Sequence, residues 1–144
     1  MSLVLLAAGC GDSDKPSSGQ GLTHAAYVQQ ADAVCRKADD AIAKLEQPSG
    51  IGDLPAYATQ AAAIVSQERD DLKTLQAAPG DEVLVRDLGR ALDDVVRVAN
   101  GLVKVAAGGN AAAINDFVKQ NGAADERAKA LAKQLGMKVC AASE

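Results

Sequence analysis

Three short breaks rich in glycine and proline divide the chain into four long segments. The breaks are Pro48-Ser49-Gly50, Pro79-Gly80 and Gly108-Gly109. Within each segment apolar residues recur three and four positions apart, which places them on one face of an α-helix. Runs in which apolar and polar residues alternate, as β-strands require, are missing. The spacing therefore predicts an all-α fold.

Each segment carries signals that fix where its helix begins or ends. Thr23 and Asn110 are N-cap residues, because their side chains accept hydrogen bonds from free backbone N–H groups, and Gly136 stands where a helix ends. Short connections between segments of near-equal length predict an up-down-up-down four-helix bundle over residues 23–144. We expect the helices at residues 24–47, 54–77, 82–107 and 111–135, the last continuous across Asn121-Gly122.

Composition supports helices and argues against one class of partner. Aromatic residues make up 2% of the chain, and much of its apolar content is alanine, a strong helix former that adds little core volume. The net charge is −4 and the charges are interspersed, so no basic stripe is present to neutralise phosphates. We expect close-packed helices and no nucleic-acid partner.

The stretch from Leu5 to Ser13 is typical of a bacterial lipoprotein processing site. A short apolar run narrows to small residues, meets Cys10 and then turns polar. Such a site predicts that residues 1–9 are removed and that Cys10 carries a lipid at the new N-terminus. Residues 10–22, rich in Gly, Ser, Pro and Asp, then predict a flexible tether. We expect a protein anchored to the extracytoplasmic face of the cell membrane.

Residues 1–9 are nevertheless short for a signal segment. They contain no Lys or Arg, although signals begin with a cationic region, and Ala7 stands where lipoprotein signals usually carry Leu. We therefore expect this start to be a remnant, truncated or misassigned, or Met1-Ser2-Leu3 to be a leader. The alternative is an ordinary apolar start.

The three cysteines suggest a disulfide once Cys10 is assigned to the lipid. An exported protein works in an oxidising compartment, where Cys35 and Cys140 would most simply pair. In an up-down-up-down bundle Cys35 lies roughly 17 Å along the first helix, and the tail after Gly136 must fold back to reach it. Extended residues of the tail span roughly that distance. The alternative is two unrelated buried thiols.

Few residues in the chain suggest catalytic or metal chemistry. His24 is the single histidine, and it falls at the exposed end of a helix, where a buried, oriented base is not expected. Glu-x-x-His pairs, paired Cys-x-x-Cys ligands and a glycine-rich phosphate loop are missing. Tyr27 or His24 would be the ligand if the protein bound haem, but we expect Tyr27 to pack against a neighbouring helix. We predict no enzyme, no metal and no cofactor.

Glu68 is the one polar residue whose register points into the predicted core. It continues the apolar stripe of Tyr57, Ala61 and Ile64. A buried carboxylate with a shifted pKa would be a candidate functional site. The alternative, which we favour, places Glu68 at the edge of the stripe, where it reaches solvent or an arginine.

Three stretches resemble a group of small exported or lipid-anchored helical proteins of actinobacteria. They are Tyr27–Cys35, Leu75–Pro79 and Ala132–Cys140, of which the first contains Ala-Asp-x-x-Cys and the last Leu-Gly-x-x-x-Cys. The resemblance covers most of residues 23–141. It implies a disulfide between the two bracketing cysteines and a location at the cell surface, and it implies no particular activity.

Two functions from different classes stay open. The first, which we favour, is a non-enzymatic module that binds a protein or envelope component through an outer helical face. The second is a carrier or sensor of a small apolar ligand, haem-like or lipid, held between the helices. An enclosed pocket above about 300 Å³ would favour the carrier. A filled core with an exposed apolar patch would favour the module.

Overall fold

The computed structural model describes residues 22–142, which form five α-helices and their connections. No strand occurs in this range, so the prediction of an all-α fold is confirmed there. None of the helices in it is long and apolar enough to cross a membrane. The first two helices pack on each other, the second packs on the third, and the third packs on the last two. In chain order the helices are α1 His24–Ile42, α2 Leu54–Thr74, α3 Glu82–Ala107, α4 Ala111–Asn121 and α5 Ala123–Gln134.

The predicted caps are present in the structure. The Thr23 hydroxyl accepts a hydrogen bond from the Ala26 N–H at 3.2 Å, and the Asn110 side chain accepts one from the Ala113 N–H at 3.1 Å. Gly136 has a φ of +77°, a left-handed conformation that favours glycine, and it lets the following N–H turn back to the carbonyl of Ala132. These three signals therefore set helix ends as expected.

The predicted ends of α1 and α2 were too late. The first helix ends at Ile42 rather than at residue 47, and the second at Thr74 rather than at residue 77. Both overruns precede a proline, and the residue before a proline is displaced from the helical conformation. The chain leaves the helix ahead of that point: the Leu45 N–H donates to the carbonyl of Ile42 in a tighter turn, and Leu75 is extended.

The fourth segment, predicted as one helix with room for a bend at Asn121-Gly122, is divided there into two helices by a single residue. The helix α4 ends at Asn121 and α5 begins at Ala123. The Asn121 side-chain amide donates to the carbonyl of Phe117 at 2.8 Å, so it competes with the backbone N–H for that carbonyl. Gly122 keeps helical backbone angles, yet glycine is a weak helix former. A one-residue break results.

The core lies where α1, α2, α3 and α5 meet, and small residues keep these helices close together. Ala31 and Ala91 are both completely buried, so the backbones of α1 and α3 lie directly against their neighbours. Larger side chains fill the space between the alanines. The buried cluster comprises Tyr27, Ala31, Cys35, Leu72, Leu88, Ala91, Ala128, Ala132, Leu135 and Met137.

The C-terminal tail folds back onto α1, as predicted. A disulfide joins Cys35 to Cys140 across a sequence separation of 105, which confirms the expected pairing. One turn before Cys35, the Asp32 carboxylate accepts hydrogen bonds from three successive backbone N–H groups of the tail, at 3.1, 2.9 and 3.3 Å. We call Asp32 and the N–H groups of residues 138–140 the tail clamp. It satisfies donors that would otherwise lack partners.

Candidate functional site

An open groove of about 310 Å³ lies between α2 and α3. The two helices present side chains at spacings of three and four, so one apolar row from each faces the groove. Gly89 interrupts the wall of α3 with a residue that has no side chain. We call this feature the α2–α3 groove. Its apolar floor consists of Leu72, Leu75, Val85, Leu88 and Leu92.

Tyr27 of α1 forms the inner wall of the α2–α3 groove and is only 1% exposed. Its hydroxyl makes no hydrogen bond within residues 22–142. Every fully buried polar side-chain atom in that range has a partner, so the small surface that Tyr27 retains must include its hydroxyl oxygen. Burial, and next the charge of Asp81, raise the pKa of Tyr27 above its ordinary value. The hydroxyl therefore stays protonated and can donate a hydrogen bond.

Charged side chains form the outer rim of the α2–α3 groove. Lys73 is already paired, because its ammonium group lies 2.6 and 2.7 Å from the two carboxylate oxygens of Asp93. Arg86 and Arg90 lie 3.5 and 3.4 Å from a single carboxylate, that of Asp87. Two guanidinium groups that share one carboxylate leave a net positive charge at this part of the rim.

A second cavity, of about 110 Å³, lies beside the disulfide where four helices meet. All four helices contribute apolar residues to its lining, and α1, α2 and α5 also contribute charged groups. We call it the carboxylate cavity. Its charged residues are Asp39, Glu68, Asp125 and Lys129.

Glu68 is half-buried in the carboxylate cavity, as are Asp39 and Lys129. The Glu68 carboxylate makes no hydrogen bond or ion pair within residues 22–142. Of the two outcomes expected for an edge position, solvent or an arginine, Glu68 keeps partial exposure to solvent and has no arginine partner in that range. Burial first, and then the negative charges of Asp39 and Asp125, together raise the pKa of Glu68 to about 7. Lys129 lies 2.7 Å from Asp125, which draws its positive charge toward that carboxylate. Glu68 can therefore gain and lose a proton near neutral pH.

The candidate residues predicted from the sequence fall into separate places. Tyr27 lines the α2–α3 groove and Glu68 lines the carboxylate cavity, so the structure does not bring the two together. His24 lies at the start of α1, where its ring nitrogen is 2.6 Å from Asp81. Cys10 is outside the described residues. Between residues 22 and 142 no group of three or more His, Cys, Asp or Glu side chains is arranged to hold a metal ion.

Two functional residues near Cys35 were not predicted from the sequence: Asp32, which binds the tail, and Asp39, which lines the carboxylate cavity. They lie three residues before and four residues after Cys35, which puts both on the helix face that carries the disulfide. That spacing could have predicted that both carboxylates lie close to the disulfide. The contributions of Asp125 and Lys129 were not, because they come from a helix remote in sequence and depend on how the helices pack.

Comparisons of the chain with protein-family models, with curated proteins and with solved structures find no match.

Proposed function

We propose that the protein is a non-enzymatic binding module, held at the extracytoplasmic face of the cell membrane by a lipid on Cys10. It binds a protein or another envelope component through an outer helical face, and that face is the α2–α3 groove. The observation that carries this proposal is an apolar floor, open to solvent and bordered by charged residues.

Such a surface has the composition of a recognition site. Interfaces combine an apolar centre, which is buried on binding, with a polar rim that stays in contact with water. Here Leu75 and Val85 belong to the centre, and Arg86 and Arg90 belong to the rim. Binding a partner would remove the half-buried floor residues from water, which is favourable in proportion to the apolar area covered.

The proposed architecture behind this face is an up-down-up-down arrangement of four helical segments, with α4 and α5 together as the fourth. Packing of each segment on the next in chain order supports it, as do the short connections. In this arrangement the disulfide and the tail clamp hold the last segment against the first.

The anchoring part of the proposal is tested by mass spectrometry of the protein purified from its native membrane. We expect a diacylglycerol-modified Cys10 at the N-terminus and no free thiol at Cys35 or Cys140. An unmodified Cys10 in membrane-derived protein would overturn the lipid anchor.

The binding part is tested by photo-crosslinking in the same membranes. A photoreactive amino acid placed at Arg86, on the rim, should give discrete crosslinked products. The matched position is Arg97, which is exposed on the same helix, pairs with Asp94 and lies outside the groove. Equal products from both positions, or none from Arg86, would contradict the groove as the binding face.

A second candidate function is a carrier or sensor of a small ligand, and two observations favour it. The volume of about 310 Å³ reaches the lower end of the range of ligand pockets, and the Tyr27 hydroxyl has no protein partner in the described range. The groove is open on one side rather than enclosed, and this favours a binding module over a carrier. A small molecule that stays bound during purification under native conditions would favour the carrier over the module.

A further inference from the structure

The ligand preference of the α2–α3 groove follows from three independent features of its walls. The floor is aliphatic, Tyr27 forms the inner wall, and Arg86 and Arg90 share one carboxylate at the rim. This inference rests on the second form of the proposed function, because it assumes that the groove takes a small molecule.

The floor sets the apolar part of the ligand. Leu72, Leu75, Val85, Leu88 and Leu92 offer no polar side-chain atom, so a ligand lying on them must be apolar along its length. A water molecule occupies roughly 30 Å³ in the liquid, so about 310 Å³ has room on the order of ten groups of that size. A short alkyl chain satisfies both conditions.

The rim and the inner wall set the polar part. Arg86 and Arg90 are separated by one helical turn, their side chains are 56% and 66% exposed, and both depend on Asp87 for a counter-charge. Their remaining N–H groups are free to bind an oxyanion. This positive rim stands out in a chain whose net charge is −4. The neutral Tyr27 hydroxyl adds a donor from inside the groove.

We propose that the α2–α3 groove binds a free single-chain amphiphile with a carboxylate head, its alkyl chain lying along the apolar floor. The head lies between the guanidinium groups of Arg86 and Arg90, and the Tyr27 hydroxyl donates a hydrogen bond to it.

Isothermal titration calorimetry of the full oxidised chain with decanoate, below its micelle concentration, tests the proposal. We expect one molecule bound per chain. Decyltrimethylammonium has the same alkyl chain and the opposite head charge, and it should bind about tenfold more weakly. Equal affinity for the two amphiphiles, or no heat of binding with decanoate, would overturn the proposal.

Three variants locate the site. The double variant Arg86→Gln/Arg90→Gln should reduce decanoate affinity about tenfold, while Arg97→Gln, on the same helix outside the groove, should leave it unchanged. Tyr27→Phe keeps the ring and removes the hydroxyl, and it should weaken binding about two- to tenfold. Thermal unfolding of each variant checks that it is folded. Unchanged binding in both groove variants would place the ligand elsewhere and overturn the assignment.

A parallel binding experiment with vesicles distinguishes binding of a free amphiphile from binding to a membrane surface. Vesicles of phosphatidylglycerol that bind the chain while decanoate does not would show a surface interaction and overturn the proposal. Decanoate binding tests only the ligand proposed for the groove. The proposed binding module is tested separately, by photo-crosslinking at Arg86 and by the lipid on Cys10, so either proposal can fail without the other.

Discussion

Replacing Glu68 by glutamine should stabilise the protein at alkaline pH. The substitution removes a negative charge from the carboxylate cavity and keeps the size of the side chain. In the folded protein the pKa of Glu68 is raised from 4.5 to about 7 by burial, and next by Asp39 and Asp125. At about 1.36 kcal/mol for each pH unit, ionised Glu68 lowers the free energy of unfolding by about 3 kcal/mol.

The sign of the pH dependence follows from the direction of the pKa change. A group whose pKa is higher in the folded state binds its proton more tightly there, so its contribution to stability is complete below pH 4.5. That contribution is lost as the pH rises to about 7. Relative to the natural protein, Glu68→Gln should therefore be about 3 kcal/mol more stable at pH 8 and about 1 kcal/mol more stable at pH 5. Water that enters the cavity reduces both figures.

Urea denaturation followed by far-UV circular dichroism, with the disulfide intact, measures this difference at pH 5, 6, 7 and 8. The control variant is Glu46→Gln, at an exposed position in the connection after α1, and it should show no trend with pH. A Glu68→Gln effect that is the same at pH 5 and pH 8 would refute the electrostatic account. So would a variant that becomes less stable than the natural protein as the pH rises.

Four further variants test how the tail and the helices are held. Replacing both Cys35 and Cys140 by alanine opens a loop of 105 residues and should lower the free energy of unfolding by about 4–5 kcal/mol. A loss below about 1 kcal/mol in urea denaturation would contradict this expectation. Asp32→Asn weakens the tail clamp and should lower the free energy of unfolding by about 1–2 kcal/mol. Dithiothreitol should also reduce the disulfide faster in this variant, and an unchanged reduction rate would show that the clamp does not protect the bond. Gly101→Ala places a Cβ atom 2.6 Å from the aromatic ring of α4 and should destabilise by about 1–2 kcal/mol, whereas Gly89→Ala meets only a lysine methylene at 3.6 Å and should stabilise by about 0.5–1 kcal/mol. Thermal unfolding compares these two variants, and equal shifts would contradict the steric explanation.

Sequence spacing predicted the elements of the fold where a local signal marks both ends. The bounds of α3 agree with the prediction because acidic residues open it and Gly108-Gly109 closes it. The ends of α1 and α2 were placed too late, because apolar spacing continues past the true end of each helix. Gly122 was misjudged for a related reason, since an unbroken apolar register does not require an unbroken helix.

The candidate site was less predictable because its geometry depends on contacts between helices. The pairing of Cys35 with Cys140 followed from the cysteine count and an oxidising compartment. The charge environment of Glu68 did not, because it requires knowing that α5 places Asp125 beside α2. The α2–α3 groove is likewise a product of packing: its floor residues are ordinary apolar positions when each helix is taken alone.

The disulfide also determines how the protein carries tension. The covalent path from residue 22 to residue 142 enters α1, crosses from Cys35 to Cys140 and leaves through the end of the tail. A force that pulls on the two ends of the described chain is therefore borne by the first turns of α1 and by the sulfur–sulfur bond. The helices α2, α3, α4 and α5 lie inside the closed loop and off this path, but Tyr27 belongs to the loaded half of α1. Unravelling of that half would therefore remove the inner wall of the α2–α3 groove.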